Sequence, residues 1–304
     1  MQYYWKDTDR QLDPNVQLPT FPTDTELDQD PTFEELNQAI RDLSTGKATG
    51  TDAIPAELLK ENKNFLLPYL HHLLIACWHQ GYVPKDMRNA NIITLYKNKG
   101  DKGDCNNYRG ISLLSIVGKA FARVLLRRLQ ILAERILPET QCGFRSNRST
   151  IDMIFSLRQL QEKCREQQKP LLIAFVDLTK AFDTVSRPGL YRVLEAVGCP
   201  PKLLKIVQSF HDEMCGTVQY DGSQSESFPI TSGVKQGCVL APTLFGIYFA
   251  VLLHTALEDT PGDIFFHWRC DGSLFNLSRF RAKTRVKHSI ARDLLFADDA
   301  AQKP

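Results

Sequence analysis

Residues 175–185 read F-V-D-L-T-K-A-F-D-T-V, and residues 293–299 read D-L-L-F-A-D-D. The first stretch closes a continuous apolar run, Leu171 to Val176, of the length of one buried strand. A carboxylate directly after such a run is costly to bury unpaired, so Asp177 is expected at the end of a strand, facing a cation or solvent. Asp298 and Asp299 follow Leu294-Leu295-Phe296 in the same manner. Adjacent side chains on a straight strand point to opposite faces, whereas in a tight hairpin turn both carboxylates reach one ion neighbourhood. Taken singly each signal is weak, because Asp-Asp pairs and an Asp after a strand are ordinary turn and cap formers.

A third stretch, G-V-K-Q-G-C-V-L-A-P at 233–242, lies between the two. In this order and spacing, 175–185, 233–242 and 296–299 resemble the three palm motifs of reverse transcriptases. Further phrases extend the likeness over most of residues 40–300: G-K-A-T-G-T-D-A-I-P-A-E-L-L-K at 46–60, L-Y-K-N-K-G-D-K-G-D-C-N-N-Y-R-G-I-S-L-L at 95–114 and Q-C-G-F-R-S-N-R-S-T at 141–150. As a set they resemble the fingers of the non-LTR, or LINE, retrotransposon branch.

The resemblance implies an RNA-directed DNA polymerase that extends a DNA primer on an RNA template, using deoxynucleoside triphosphates and two Mg2+ ions, with Mn2+ as a substitute. Two ions about 3.5–4 Å apart clamp the attacking and leaving oxygens in such chemistry, which needs carboxylates converging from separate elements. By resemblance Asp177 and Asp298 are the principal metal ligands, Asp299 the supporting carboxylate and the Leu178 carbonyl a further ligand. Lys97 and Arg109 resemble the residues that hold the incoming triphosphate, with Lys99 and Lys102 as rivals. Cations there suit a polyanionic leaving group. Phe182 stands where the family places the side chain that excludes a ribose 2′-hydroxyl. Gln236 and Gly237 resemble the pair beside the nucleotide sugar, where Gly permits close backbone approach and Gln offers an amide. Phe144, Arg145 and Arg148 form a loop suited to a template backbone through ion pairing and stacking, although a plain helix-capping loop is the alternative. Asp183 is read as a cap for the helix that follows it, and His71, His72 and His79 as structural.

The 304 residues carry a formal net charge of +2, unevenly distributed. Residues 1–35 are net −7, Lys85 to Arg135 net +7, and Arg269 to Arg292 net +6. Two basic blocks on either side of a carboxylate cluster suit a polyanion lying across it. The eight cysteines are spread singly without C-x-x-C spacing, so neither a disulfide partner nor a zinc knuckle is expected. The start, M-Q-Y-Y-W-K-D-T-D-R, lacks the pattern of a secretory signal, and the apolar runs are too short or too broken to span a bilayer. An intracellular protein, of cytoplasm or nucleus, is the expectation.

The fold expected is α+β, a right-hand polymerase of fingers and palm with an antiparallel palm sheet and no thumb. Residues 1–31 are read as an extended or disordered lead-in, 32–168 as mostly helical fingers and 169–304 as palm. Thr32 with Glu35 offers a capping box, and that helix is expected to end at Gly46. Further helices are expected from near Pro55, over 63–80, 115–136 and 150–166, and after Cys238. Strands are expected at 90–96 and 171–176, with a hairpin turn at Asp221-Gly222. With only five residues after Asp299, the strand into Asp298 is expected to lack its hairpin partner. A catalytically inactive relic that at most binds nucleic acid is therefore the alternative reading.

Overall fold

The computed structural model describes residues 18–168, 170–178 and 180–257, and beyond them strands at 264–269, 286–291, 293–296 and 299–302. Its elements, a mixture of helices and sheets, fall into two compact units. One gathers the residues up to Ile136 with Lys180–Thr255; the other gathers Leu137–Thr179 with the residues from Ala256 on.

Of the segment read as an extended or disordered lead-in, the residues from Leu18 onward are tied down and include a short 3-10 turn at Thr25–Asp28 with Leu27 buried. The Phe21 N–H donates to the Ala196 carbonyl at 2.8 Å, and the Asp28 carboxylate accepts the N–H groups of Lys202 and Leu203 at 3.0 and 3.1 Å. Asp28 thereby satisfies orphan donors at the start of a helix 174 residues away. Helix α1 (Phe33–Arg41) starts at the expected capping box, with Thr32 N–H to Glu35 at 2.7 Å and Glu35 N–H to Thr32 Oγ1 at 3.1 Å. It stops at Arg41, before the left-handed Gly46 (φ +66°).

Helices α2 (Ala56–Glu61), α3 (Lys63–Gln80) and α4 (Lys85–Arg88) follow, and then α5 (Ile116–Ile136) after two strands. The Asp52 carboxylate accepts the Ile116 N–H at 2.7 Å and so caps α5, while a Cβ on Gly50 would meet the Leu114 carbonyl oxygen at 2.3 Å. The phrase at 46–60 thus serves to seat the start of α5, where its glycine admits close backbone approach. Arg128, buried on α5, pairs with Glu35 at 2.9 Å, donates to the carbonyls of Leu27 and Gln29, and lies over the Trp78 ring.

Strands β1 (Ala90–Tyr96) and β2 (Tyr108–Leu113) form an antiparallel pair. Beyond β3 (Ala174–Val176), which lies in the other unit, helices α7 (Arg187–Ala196) and α8 (Pro201–Ser209) lead to β4 (Cys215–Tyr220), β5 (Ser223–Gln224) and β6 (Phe228–Pro229). The sheet order is β2-β1-β4-β5, with β6 also on β4; β1 and β4 run parallel, so this sheet is mixed rather than antiparallel. The β4–β5 turn falls at Asp221-Gly222, both left-handed (φ +47° and +75°), as a type I′ hairpin requires. Ile92, Met214 and Ile230 pack a core under the sheet. Helix α9 (Ala241–Leu257) closes the unit, burying Leu244, Phe245 and Ile247.

In the smaller unit α6 (Thr150–Glu166) precedes β3 (Ala174–Val176), which is shorter than the apolar run from Leu171. Strands β7 (Ile264–Arg269) and β8 (Val286–Ala291) pair with each other. Strands β9 (Asp293–Phe296) and β10 (Asp299–Gln302) complete an antiparallel sheet of order β3-β10-β9. The strand before Asp298 was expected to lack a hairpin partner; residues 299–302 supply it, pairing with β9 on one side and β3 on the other. Four residues suffice because each edge of β10 finds a neighbour for its backbone groups.

Among the described residues no helix is long and apolar enough to cross a membrane. Cys77, Cys142, Cys164, Cys199 and Cys238 are buried thiols that pack as small hydrophobes.

Candidate active site

In the smaller unit the β3–β10 register pairs Val176 with Ala300 and Phe175 with Ala301. Continuing it by one position puts the backbone of Asp177 opposite that of Asp299. On its other side Asp299 pairs with Phe296, and Ala297-Asp298, between β9 and β10 in the chain, lie outside the described residues. The tertiary pairing therefore brings two sequence-distant acids, Asp177 and Asp299, to the same end of one sheet. Asp177 is exposed and Leu178, next in the chain, is half-buried. Carboxylate and carbonyl oxygens at a sheet end are hard donors, the set that suits Mg2+ rather than a soft metal.

The same unit holds Phe144, Arg145 and Arg148. Phe144 is exposed and left-handed (φ +56°), as is Asn147 (φ +59°). Arg145 donates to the Pro138 carbonyl at 2.9 Å, and Arg148 pairs with Glu139. Asp152 accepts from the Ser149 N–H and hydroxyl at 2.7 and 3.0 Å, starting α6. The loop is thus a helix-start structure held by its own arginines, while the Phe144 ring projects outward.

The larger unit brings together the other residues. Lys97, at the end of β1, donates its N–H to the Asn107 carbonyl and its ammonium to the Asn106 carbonyl, both at 2.8 Å. Arg109 is exposed on β2, across from Leu95. In an antiparallel pair, residues directly opposite share a face. Arg109 and Leu95 therefore lie on one face, and Tyr96 and Tyr108, with ring centroids 5.4 Å apart, on the other. Lys102 lies over the Tyr96 ring.

The Gln236 carbonyl accepts the Ser112 N–H at 2.8 Å, and a Cβ on Gly237 (φ +103°) would sit 2.8 Å from the Ser112 carbonyl oxygen. Gln236-Gly237 therefore covers the outer edge of β2, the strand that carries Arg109. Phe182 packs against Phe245 of α9 with the rings tilted by 33° and their centroids 4.7 Å apart, and its carbonyl accepts the Val234 N–H at 2.9 Å. The Gly233 N–H reaches the Val185 carbonyl at 3.0 Å.

Asp183 does not cap the next helix. Ser186 does, accepting the Gly189 N–H at 3.3 Å, while burial pushes the Asp183 carboxyl up against the opposing pull of Lys180. His71 donates to the Pro31 carbonyl at 2.9 Å and His79 meets Asp30 at 2.8 Å, both structural contacts.

Two buried cations within or against the 233–242 stretch escaped the sequence reading. Arg187 donates to the carbonyls of Gly233 (3.0 Å), His211 (2.6 Å) and Ser232 (3.2 Å). Lys235, fully buried, donates to the carbonyls of Arg88 (2.6 Å) and Phe210 (2.7 Å). Burial, with a smaller push from the neighbouring Arg187 and Arg88 and against the opposing pull of Cys238, brings the Lys235 pKa down to about 8. Lysine is almost never fully buried, so its place inside 233–242 was the available signal; the acceptors, distant backbone carbonyls, leave none.

Residues 97–277, more than half of the chain, match the family described as Reverse transcriptase (RNA-dependent DNA polymerase). The chain is 32% identical over 219 residues to the RNA-directed DNA polymerase from mobile element jockey of Drosophila melanogaster, covering 71% of this chain and 24% of that protein. It is 30% identical over 233 residues to the Retrovirus-related Pol polyprotein from type-1 retrotransposable element R2 of Popillia japonica, covering 75% of this chain and 31% of the relative. A third relative, the Transposon TX1 uncharacterized 149 kDa protein of Xenopus laevis, is 30% identical over 217 residues, 71% of this chain and 16% of its own length. The chain spans less than a third of the length of each of these curated relatives.

Proposed function

The chain belongs to the reverse transcriptase (RNA-dependent DNA polymerase) family, and from that premise we propose that it is the polymerase region of a non-LTR retrotransposon protein, extending a DNA primer on an RNA template. The observation that carries this reading is the β3–β10 register, which carries Asp177 to a position across from Asp299 at one sheet end. The arrangement proposed around it is a right hand, with residues 32–168 as fingers and 169–304 as palm.

In this reading Asp177, Asp298 and Asp299, with the Leu178 carbonyl, would hold Mg2+. When bound, the metal lowers the cost of charge on the attacking and leaving oxygens. The protein's own residues position and select. Lys97 and Arg109 offer cationic donors to the triphosphate of the incoming deoxynucleotide, Arg109 with the fork that suits phosphate. Gln236 and Gly237 line the sugar's side of the site, where the absence of a Cβ on Gly237 lets this backbone lie close against β2. Phe182, buttressed by Phe245, is a rigid wall against a 2′-hydroxyl. Phe144, Arg145 and Arg148 support the template strand, with Phe144 as the stacking surface.

The test is incorporation of deoxynucleotides on poly(A)/oligo(dT) with Mg2+ by the purified chain and by Asp177→Asn. Incorporation that the substitution abolishes is the expected result. Incorporation no higher than that of Asp177→Asn would leave a nucleic-acid-binding protein without catalysis.

A further inference from the structure

The stretch 232–238 joins two parts of the proposed nucleotide site. At one end the N–H groups of Gly233 and Val234 bond the carbonyls of Val185 and Phe182; at the other, the Gln236 carbonyl and Gly237 lie on the outer edge of β2 at Ser112. Between these two attachments stands Lys235. Its side chain leaves the surface altogether and ends between the carbonyls of Arg88, at the close of α4, and Phe210, at the close of α8. Carbonyls at helix ends lack intrahelical partners and carry the negative end of the helix dipole, so an ammonium there satisfies groups that water does not reach. Arg187 holds the preceding residues in the same way, through the carbonyls of Ser232 and Gly233. A buried cation bonded only to backbone fixes backbone, since its removal strands two acceptors.

We propose that Lys235 is a positioning residue for nucleotide binding: its buried ammonium sets the path of the backbone that places Gln236 and Gly237 against β2. This deepens the polymerase reading and rests on it for the nucleotide, although the placement of the loop is testable without catalysis. A purely structural lysine would, when replaced, loosen the whole unit. A positioning lysine loosens one edge and one binding step.

The experiment compares the full chain with Lys235→Met and Lys235→Arg. Two readouts are taken: the KM and kcat for a deoxynucleotide on poly(A)/oligo(dT), and hydrogen exchange at the Ser112 amide, whose acceptor is the Gln236 carbonyl. For Lys235→Met the expected result is a KM raised by about tenfold, the scale of one charge-assisted hydrogen bond, with kcat changed far less. Ser112 exchange should accelerate by a similar factor while amides of the β1–β4 ladder keep their protection. Lys235→Arg, which keeps the charge and the donors, should recover part of both. Unchanged KM and Ser112 exchange would overturn the proposal, as would acceleration of the whole sheet together with Ser112. If Lys235→Met does not fold, Lys235→Gln takes its place under the same criteria. If the wild-type chain extends no primer, the polymerase reading fails and the Ser112 comparison alone decides whether Lys235 positions the loop.

Discussion

Gly233 stands against the backbone of Asp183: a Cβ on it would come within 2.6 Å of the Asp183 carbonyl oxygen and 2.8 Å of its Cα, and its φ is +76°. Both obstacles are backbone, so neither can swing aside as the end of a side chain would. Gly233→Ala is expected to destabilise the protein by roughly 1–3 kcal/mol from left-handed strain alone, with the clash in addition. Urea unfolding of the two proteins checks this, and equal midpoints would refute it.

Phe182 owes its fixed position to Phe245 and to the Val234 bond on its carbonyl. Phe182→Ala should therefore narrow the preference for deoxynucleotides over ribonucleotides by about tenfold or more, the size of a lost steric contact in a binding site. Competing incorporation of matched deoxy- and ribonucleotides measures it. A preference that does not move would remove Phe182 from the site.

His211 is buried beside Lys235 and Arg187 with its Nδ1 at the Val207 carbonyl, and burial first, then those two cations, bring its pKa down to about 3. The unfolded chain therefore takes up a proton near pH 6.5 that the native state refuses. The stability from this group is complete above pH 6.5 and is lost as the pH falls toward 3. Between pH 7 and 5 the loss should reach at most about 2 kcal/mol, and His211→Gln should flatten that part of the profile. Parallel profiles for both proteins in denaturant melts would contradict it.

Arg128 joins the first described residues to the helical core through Glu35, Leu27 and Gln29. Burial works to raise the Glu35 carboxyl, but the Arg128 bonds outweigh it and hold the group below its usual value. Arg128→Met leaves that carboxylate without its cation and two carbonyls without their donor, at an expected cost of about 3–5 kcal/mol. Limited proteolysis should then cut within residues 18–31 well before the wild type is cut. Resistance equal to wild type would show that the segment is held by other contacts.

Much of the local structure was legible in the chain because its causes are local. The Thr32–Glu35 box, the Asp221-Gly222 turn and the start of α2 behind Pro55 each depend on residues within a few positions, and they appear where pattern placed them. The capping role given to Asp183 failed for a related reason: Ser186, three residues on, competes for the same helix start and holds it. The pairing of β9 with β10 was missed because β10 is only Asp299–Gln302, too short to show any periodicity.

What the sequence by itself determined is the family, through three ordered motifs, two of which place acids after apolar runs. The tertiary structure alone decided which groups meet. Asp177 comes across from Asp299 only because β3 pairs with β10 in one register, and a slip of a single residue would turn those acids to other partners. Lys235 and Arg187 reveal their roles only once distant carbonyls close around them. A backbone acceptor is the same atom in every residue, so no side-chain pattern can announce it in advance.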